Sequence, residues 1–345
     1  MTVKYNASHH GKRLPIRMAV VVAVLVISVS ILACSRTEQK PIGPLEKVTV
    51  AIVQPLYSVL ILVAKSNNYF RDEGLDVTVQ EHQNGVAALD ALFAGRAELA
   101  ATAETPVMFA VTEGRRLTIL AQTFVSDRNM AIVARKDRGV VAPSDLKGKK
   151  IAVSPGTVGE YFLHTFLTFN GISPHEVTIV KLDPVELIAA VLTGKVDAAS
   201  TWNPHVHKMQ KELGGRGLTL ALTPPHPLMI VMSSRPDFPA QKPGTVKGVL
   251  RALIRAENFV RENPREAIKM VAGAIGIEPD QLGELWQSDV FKVSLDQSLL
   301  INLENEARWA INNRLTTAAA VPNFLNSLNM DGLSAVKPSV VTVIR

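Results

Sequence analysis

Two stretches of this chain, ALFAGRAELAATAETP at 91–106 and AVLTGKVDAASTWNP at 190–204, follow one plan. Each reads as the end of a helix, a glycine, two residues, an acid, a run of small residues suited to a buried strand, and a polar cluster closed by proline. Gly95 and Gly194 stand where the left-handed residue after a helix belongs, and Glu98 and Asp197 open the strand. Thr105-Pro106 and Asn203-Pro204 each place a capping residue directly before a proline, which predicts proline at the first helical position. A chain carrying this unit twice must accommodate two strand ends, each leading straight into a helix N-terminus.

The surroundings repeat as well. KVTVAIV, VLILVAKSNNYFRDEG, DVTVQEH and GVAALDALFAGRA lead into the first unit; KIAVSPGTVGEYFLHTFLTFNG, VTIVKLD and PVELIAAVLTGKV lead into the second. Short β-branched runs alternating with helical stretches predict a parallel sheet flanked by helices in each half. Around TPPHPLMIVMSS the rhythm breaks, and from Thr245 the chain is expected to be mainly helical, with Val249, Leu250, Leu253, Ile254 and Val260 along one face. The apolar share of 47% is ample for a large core, and a body of roughly 300 residues is long for a single one, so two lobes are expected.

The segment ahead of this body has a different character. The first seventeen residues carry Lys4, Lys12, Arg13 and Arg17 and no acid, and Met18–Ala33 is almost wholly apolar. Crossing a bilayer takes about 20 apolar residues, so this shorter run reads as a signal peptide over residues 1–33, with an uncleaved anchor as the alternative. The tetrapeptide Ile31-Leu32-Ala33-Cys34 resembles a bacterial lipobox, in which the thiol is acylated and becomes the new N-terminus; Leu32 is the less usual residue in it. Cys34 is the one cysteine in the chain and can form no intramolecular disulfide, which acylation accounts for. Residues 34–47, polar with two prolines, read as a tether, so the folded body starts near Val48. Removing residues 1–33 takes four of the 37 basic residues and leaves 33 against 31 acids. With no basic stripe interleaved with aromatics, nucleic acid is not a partner. Ser35 follows the cysteine where many inner-membrane lipoproteins carry Asp, which leaves the choice of membrane open.

GVAALDALFAGRAELAATAETPVMFA, DLKGKKIAVSPGTVGEYFLHTFL and LTGKVDAASTWNPH, in that order and behind a lipobox, resemble the periplasmic solute-binding proteins of ABC importers for nitrate, sulfonates, taurine and thiamine-pyrimidine precursors, over Val48–Arg314. The resemblance implies an α/β, two-lobe periplasmic-binding-protein fold of type II, with the ligand in the cleft between lobes joined by two crossings. On that reading the crossings lie near Thr123–Asn129 and Pro224–Met229, lobe one is 48–124 plus 226–345, and lobe two is 129–223. It further implies a monomeric extracytoplasmic lipoprotein that captures a small organic solute, closes on it by a hinge, and delivers it to a permease and ATPase. No cofactor, metal or catalytic residue is expected. Two alternatives are a lipoprotein that binds a solute or partner for envelope sensing, and an enzyme like the pyrimidine synthase of fungal thiamine biosynthesis.

Ligands of open α/β sheets sit outside the carboxyl ends of the strands, which nominates the strand-end turns. Gln54 and Tyr57 follow the first strand, as polar contacts or as a packed loop. Asn84 precedes Gly85, where a helix begins without bulk or a plain turn forms. In SPGTVGE, Ser154 and Thr157 lead into a helix N-terminus suited to a carboxylate, sulfonate or phosphate, while Glu160 is either dipole-favoured or set to bind an amine. The paired turns add Thr102, Glu104 and Thr105 opposite Trp202 and Asn203; Trp202 would stack on a flat solute or pack between lobes. A buried Glu104 would need a cation, so Glu104 and Glu160 together favour a donor-rich or cationic solute unless basic side chains pair with them. The sequence lacks Gly-x-Ser-x-Gly, His-Glu-x-x-His, a phosphate loop and Gly-x-Gly-x-x-Gly, which argues against an enzyme. His205 and His207, two apart, cannot share a metal on a helix and read as surface residues, and Trp286 and Trp309 read as core.

Overall fold

In the computed structural model, which describes Met1 and residues 43–286 and 289–344, β1 (Glu46–Ile52) opens two residues ahead of the expected Val48. The Glu46 amide already donates to the Gly74 carbonyl at 2.8 Å, and parallel pairing with β2 (Leu75–Glu81) starts there. The signal segment, Cys34 and most of the tether lie outside the described residues.

Between these strands α1 (Val59–Ser66) buries Val59, Leu60, Ile61 and Val63. Next come α2 (Gly85–Phe93), β3 (Leu99–Ala103), α3 (Glu104–Thr112) and β4 (Thr118–Ser126). The chain then enters a second sheet through β5 (Met130–Arg135), followed by β6 (Lys150–Val153), α4 (Val158–Phe169), β7 (Thr178–Lys181), α5 (Pro184–Thr193), β8 (Ala198–Trp202), α6 (His205–Leu213) and β9 (Gly217–Leu220). It returns as β10 (Leu228–Ser234), and α7 (Pro243–Glu262), α8 (Pro264–Ile275), the two-residue β11 (Asp289–Val290) and α9 (Gln297–Asn312) follow. On α7, Val249, Leu250 and Leu253 are buried and Ile254 and Val260 half-buried, as the helical spacing predicts. Among the described residues no helix is long and apolar enough to cross a membrane.

The first sheet has the order β11-β4-β10-β3-β1-β2 and the second β7-β6-β8-β5-β9. Apart from the edge strand β11, the two orders are equivalent, so the duplicated sequence unit reflects a duplicated sheet. Neither sheet is purely parallel, which corrects the expectation. β1 runs parallel to β2 and β3, and β6 to β7 and β8, but β10 is antiparallel to β3 and β4, and β5 to β8 and β9. The reason is topological: β5 and β10 each arrive from the other sheet, and a short crossing delivers them to the carboxyl end of the parallel core, from which they must run back.

Both copies of the unit work the same way. Glu98 Oε2 accepts the Thr49 amide at 2.7 Å and Asp197 Oδ2 accepts the Lys150 amide at 2.8 Å, so each acid ties the entry of its strand to the parallel neighbour. Gly95 and Gly194 have φ of +70° and +75°, the left-handed region where a Cβ is strained. β3 and β8 are buried at every residue, as central strands covered on both faces are. The prolines differ from expectation. α3 starts at Glu104, which puts Pro106 third in the helix, still within the first turn where its missing N–H breaks no helical bond. The Asn203–Pro204 bond is cis, and α6 begins only at His205.

Candidate functional site

The carboxyl ends of β1, β3 and β8 converge between the sheets on a cavity of about 20 Å³. Val53, Tyr57, Gly85, Ala103, Pro106, Leu228 and Ile230 line it from the first lobe, and Thr157, Val158 and Trp202 from the second. A void of this size holds about one water, so any larger solute requires the lobes to part.

Two helix N-termini reach this cavity. Asn84 caps α2 by accepting the Ala87 amide at 2.9 Å, which commits its side chain to the helix. A Cβ on Gly85 would stand 2.7 Å from Pro106 Cγ and collide with Thr102 Oγ1, so only glycine lets α2 start this close to β3 and α3. Thr157 caps α4: its hydroxyl donates to the Ser154 carbonyl at 2.7 Å and accepts the Gly159 amide at 3.3 Å. The remaining N–H groups of each first turn have no helical acceptor, and the dipole favours an anion there. Trp202, 4% exposed, carries a buried Nε1–H without a partner, and the fully buried Thr102 hydroxyl is also unpartnered. Each such group costs about 1–3 kcal/mol when left unmade.

Three nominated residues, Gln54, Tyr57 and Asn203, take part in contacts that bridge the lobes. Tyr57, 3% exposed on the first lobe, donates its hydroxyl to Asn129 Oδ1 at 3.0 Å and to the Asn203 carbonyl, both at the second lobe's edge. Burial and then the charge of Asp289 push the Tyr57 phenol well above its ordinary value, so it stays a donor. Asn129 in turn donates to Asp289 Oδ1 at 3.0 Å, and burial lifts Asp289 to about 6. Gln54 Nε2 lies 3.2 Å from His205 Nε2. Asn203 Oδ1 accepts the His207 amide at 3.3 Å at the start of α6.

The other nominated residues are engaged elsewhere. Ser154 donates to the Leu182 carbonyl at 3.0 Å. Glu160 is buried; its Oε2 accepts the Gly156 amide at 2.9 Å and its Oε1 lies 3.6 Å from Lys181 Nζ. A recess of about 300 Å³ opens beside that pair, with Phe109 and Arg115 across from it. Glu104 turns into the first lobe, where Oε2 accepts the Met229 amide at 3.0 Å and Oε1 accepts Asn302 Nδ2 at 3.1 Å. Thr105 donates to Glu306 Oε1 at 2.9 Å. Burial raises Glu104 to about 8 and raises Glu306 well above its ordinary value, in the latter case with repulsion from Glu104.

Two sequence readings need correction. His205 is half-buried between the lobes, and burial, aided by Lys208, lowers it to about 4. Trp309 is half-buried, its ring 5.0 Å from Tyr161 and 5.4 Å from His164 on α4 of the opposite lobe, so it packs at the interface instead of inside a core. Trp286 is buried against Phe291 as expected. Asn129, His226 and Glu306 escaped sequence reading because nothing local marks them; their partners lie between 72 and 201 residues away in the chain.

Residues 56–267 match the family described as NMT1/THI5 like. A binding protein of Brucella abortus (strain 2308) is 24% identical over 223 residues, 64% of this chain and 68% of its own. The taurine-binding periplasmic protein of Escherichia coli (strain K12) is 29% identical over 206 residues, 59% of this chain and 63% of its own. Among solved structures, the alkanesulfonate-binding protein SsuA of Xanthomonas axonopodis pv. citri, bound to MOPS, aligns with a TM-score of 0.70 at 20% identity, over 84% of this chain and 99% of that one. The shared architecture is the periplasmic-binding-protein fold.

Proposed function

Because this chain belongs to the NMT1/THI5-like family, we propose that it is a solute-binding protein that encloses a small organic solute between its lobes and hands it to an ABC importer. On this reading it acts outside the cytoplasm, held to a membrane by acylated Cys34, and performs no chemistry on what it binds. The observation that carries the reading is the interlobe cavity, lined from both sheets at the carboxyl ends of their strands.

The same observation narrows the solute class. No charged side chain lines the cavity; its lining is apolar and includes the first residues of α2 and α4 and the Trp202 ring. The two acids that had favoured a cation do not reach it: Glu160 pairs with Lys181, and Glu104 is turned toward Asn302. The dipoles of α2 and α4 favour an anionic, oxygen-rich head such as a sulfonate at their first turns, with a short apolar body against Val53, Val158, Leu228 and Ile230. That is also the class named for the taurine- and alkanesulfonate-binding relatives. Tyr57, Thr102, Thr157 and Trp202 are the proposed contacts, with Gln54, Asn84 and Asn203 holding the lobes and the α2 turn in place. Entry requires a hinge at 127–129 and 221–227, where the chain passes between sheets.

A thermal-shift screen of the full chain in detergent, against taurine, longer alkanesulfonates, nitrate, aminopyrimidines and simple amines, tests this. Ligand at about 100 times its Kd adds about 2.7 kcal/mol of stability, and the expected hits are sulfonates. Stabilisation by amines alone would overturn the assigned class, and silence across the panel would overturn the solute-binding reading.

A further inference from the structure

Apart from that cavity, one cluster lies where the first lobe meets the returning crossing. Glu104 at the start of α3, Glu306 on α9 and His226 in the returning crossing each offer a ligand atom, and these atoms all lie within 4.8 Å of one another. Both carboxylates are fully buried. Among the described residues, neither has a Lys or Arg within ion-pair distance, although a buried carboxylate without a counter-charge is strongly unfavourable. The cluster is only partly satisfied. Glu306 Oε2 and His226 Nε2 are buried atoms without a hydrogen-bond partner.

We propose that Glu104, His226 and Glu306 form a site for one divalent first-row transition metal ion of the zinc or cobalt type. Two carboxylates and a neutral imidazole balance a charge of +2, and this mixed oxygen and nitrogen set suits such ions. Metal-bound oxygen and nitrogen stand about 2.0–2.2 Å from zinc, so ligands around one ion must lie only a few ångströms apart, as these do. The supporting groups are already in place. The Met229 amide and Asn302 Nδ2 orient Glu104, and the Thr105 hydroxyl orients Glu306 through Oε1, leaving Oε2 for the ion. The edge of Tyr161 against the His226 ring, at a centroid distance of 4.9 Å, fixes the plane of the imidazole. Such outer contacts are what hold metal ligands in register. A bulky organic cation is the poorer occupant, because ligand atoms this close together leave room for a single ion.

The test uses the full chain in detergent, stripped with chelator, titrated with Zn²⁺ by calorimetry and with Co²⁺ by visible absorption. One equivalent is expected to bind, and Glu306→Gln and His226→Ala are each expected to weaken it at least 100-fold, while Glu306→Gln, which lies outside the hinge, retains the sulfonate response. His226→Cys supplies a positive signal that loss of folding cannot imitate, a sulfur-to-cobalt charge-transfer band absent from the parent protein. Failure of the parent to take up one equivalent would overturn the site. So would uptake unchanged by Glu306→Gln and His226→Ala together, which would place the metal elsewhere. A His226→Cys variant that binds Co²⁺ without the new band would also overturn it. Because none of these readouts depends on solute, the metal site and the solute reading stand or fall separately.

Discussion

The Tyr57 hydroxyl is the part of the latch that can be removed with least disturbance. In Tyr57→Phe the ring keeps its packing on Phe124, at a centroid distance of 5.2 Å, and loses the bonds to Asn129 Oδ1 and the Asn203 carbonyl. The Asn203 carbonyl belongs to the opposite lobe, and Asn129 to the crossing that leads into it. When the lobes part the Asn203 carbonyl faces water and loses nothing, so that cost falls on the closed state. Asn129 is 3% exposed, so its oxygen is stranded when closed. Leaving buried acceptors unmade costs about 1–3 kcal/mol, and a central value of about 2 kcal/mol weakens binding about 30-fold, since every 1.4 kcal/mol is tenfold. Solute binding is coupled to closure, so the loss appears in Kd. Calorimetry with the best sulfonate from the screen gives Kd, and small-angle scattering gives the unliganded radius of gyration. The expected result is a 30-fold weaker Kd, a larger unliganded radius, and a melting temperature close to the parent's. An unchanged Kd and radius would show that the hydroxyl does not hold the lobes together; a large drop in melting temperature with unchanged radius would make Tyr57 a core residue only.

Gly85→Ala should destabilise the protein by about 1–3 kcal/mol through overpacking against Pro106 and Thr102, read as a lower melting temperature together with weaker sulfonate binding. Acid should weaken the closed form through His205. Its folded value is lowered to about 4 from an ordinary 6.5, so its contribution is fully present above pH 6.5 and is lost as pH falls toward 4. A pH series of Kd should therefore be flatter for His205→Gln than for the parent protein; identical profiles would remove His205 from the latch. Cys34→Ala should release the protein from membranes on fractionation, and continued lipid labelling of that variant would overturn the lipobox reading.

How far the sequence carried depends on whether a signal was local. Glu98 and Asp197 could be paired by inspection because a strand entry, a helix end and an acid fall within a few residues of each other, and they make the same backbone bond in both lobes. Gly85 and Thr157 were legible for the same reason, since a helix start is written in its first residues. Glu160 shows the limit. Its first-turn position was readable, but its partner Lys181 comes from the adjacent strand β7, a pairing that no local pattern marks. Likewise Trp309 lies on a helix with apolar neighbours and reads as core; that α9 carries it to the face of α4 follows from how the chain returns after the second sheet.

By itself, then, the sequence determined the α/β rhythm, the doubling of the unit and the strand ends that lead into helices, because backbone propensity and side-chain periodicity act over a few residues. Tertiary structure alone decided the antiparallel insertion of β5 and β10, the Tyr57 latch and the gathering of Glu104, His226 and Glu306. These depend on crossings that return the chain after about a hundred residues or more, and no local preference encodes where a strand arrives once it has left its own sheet.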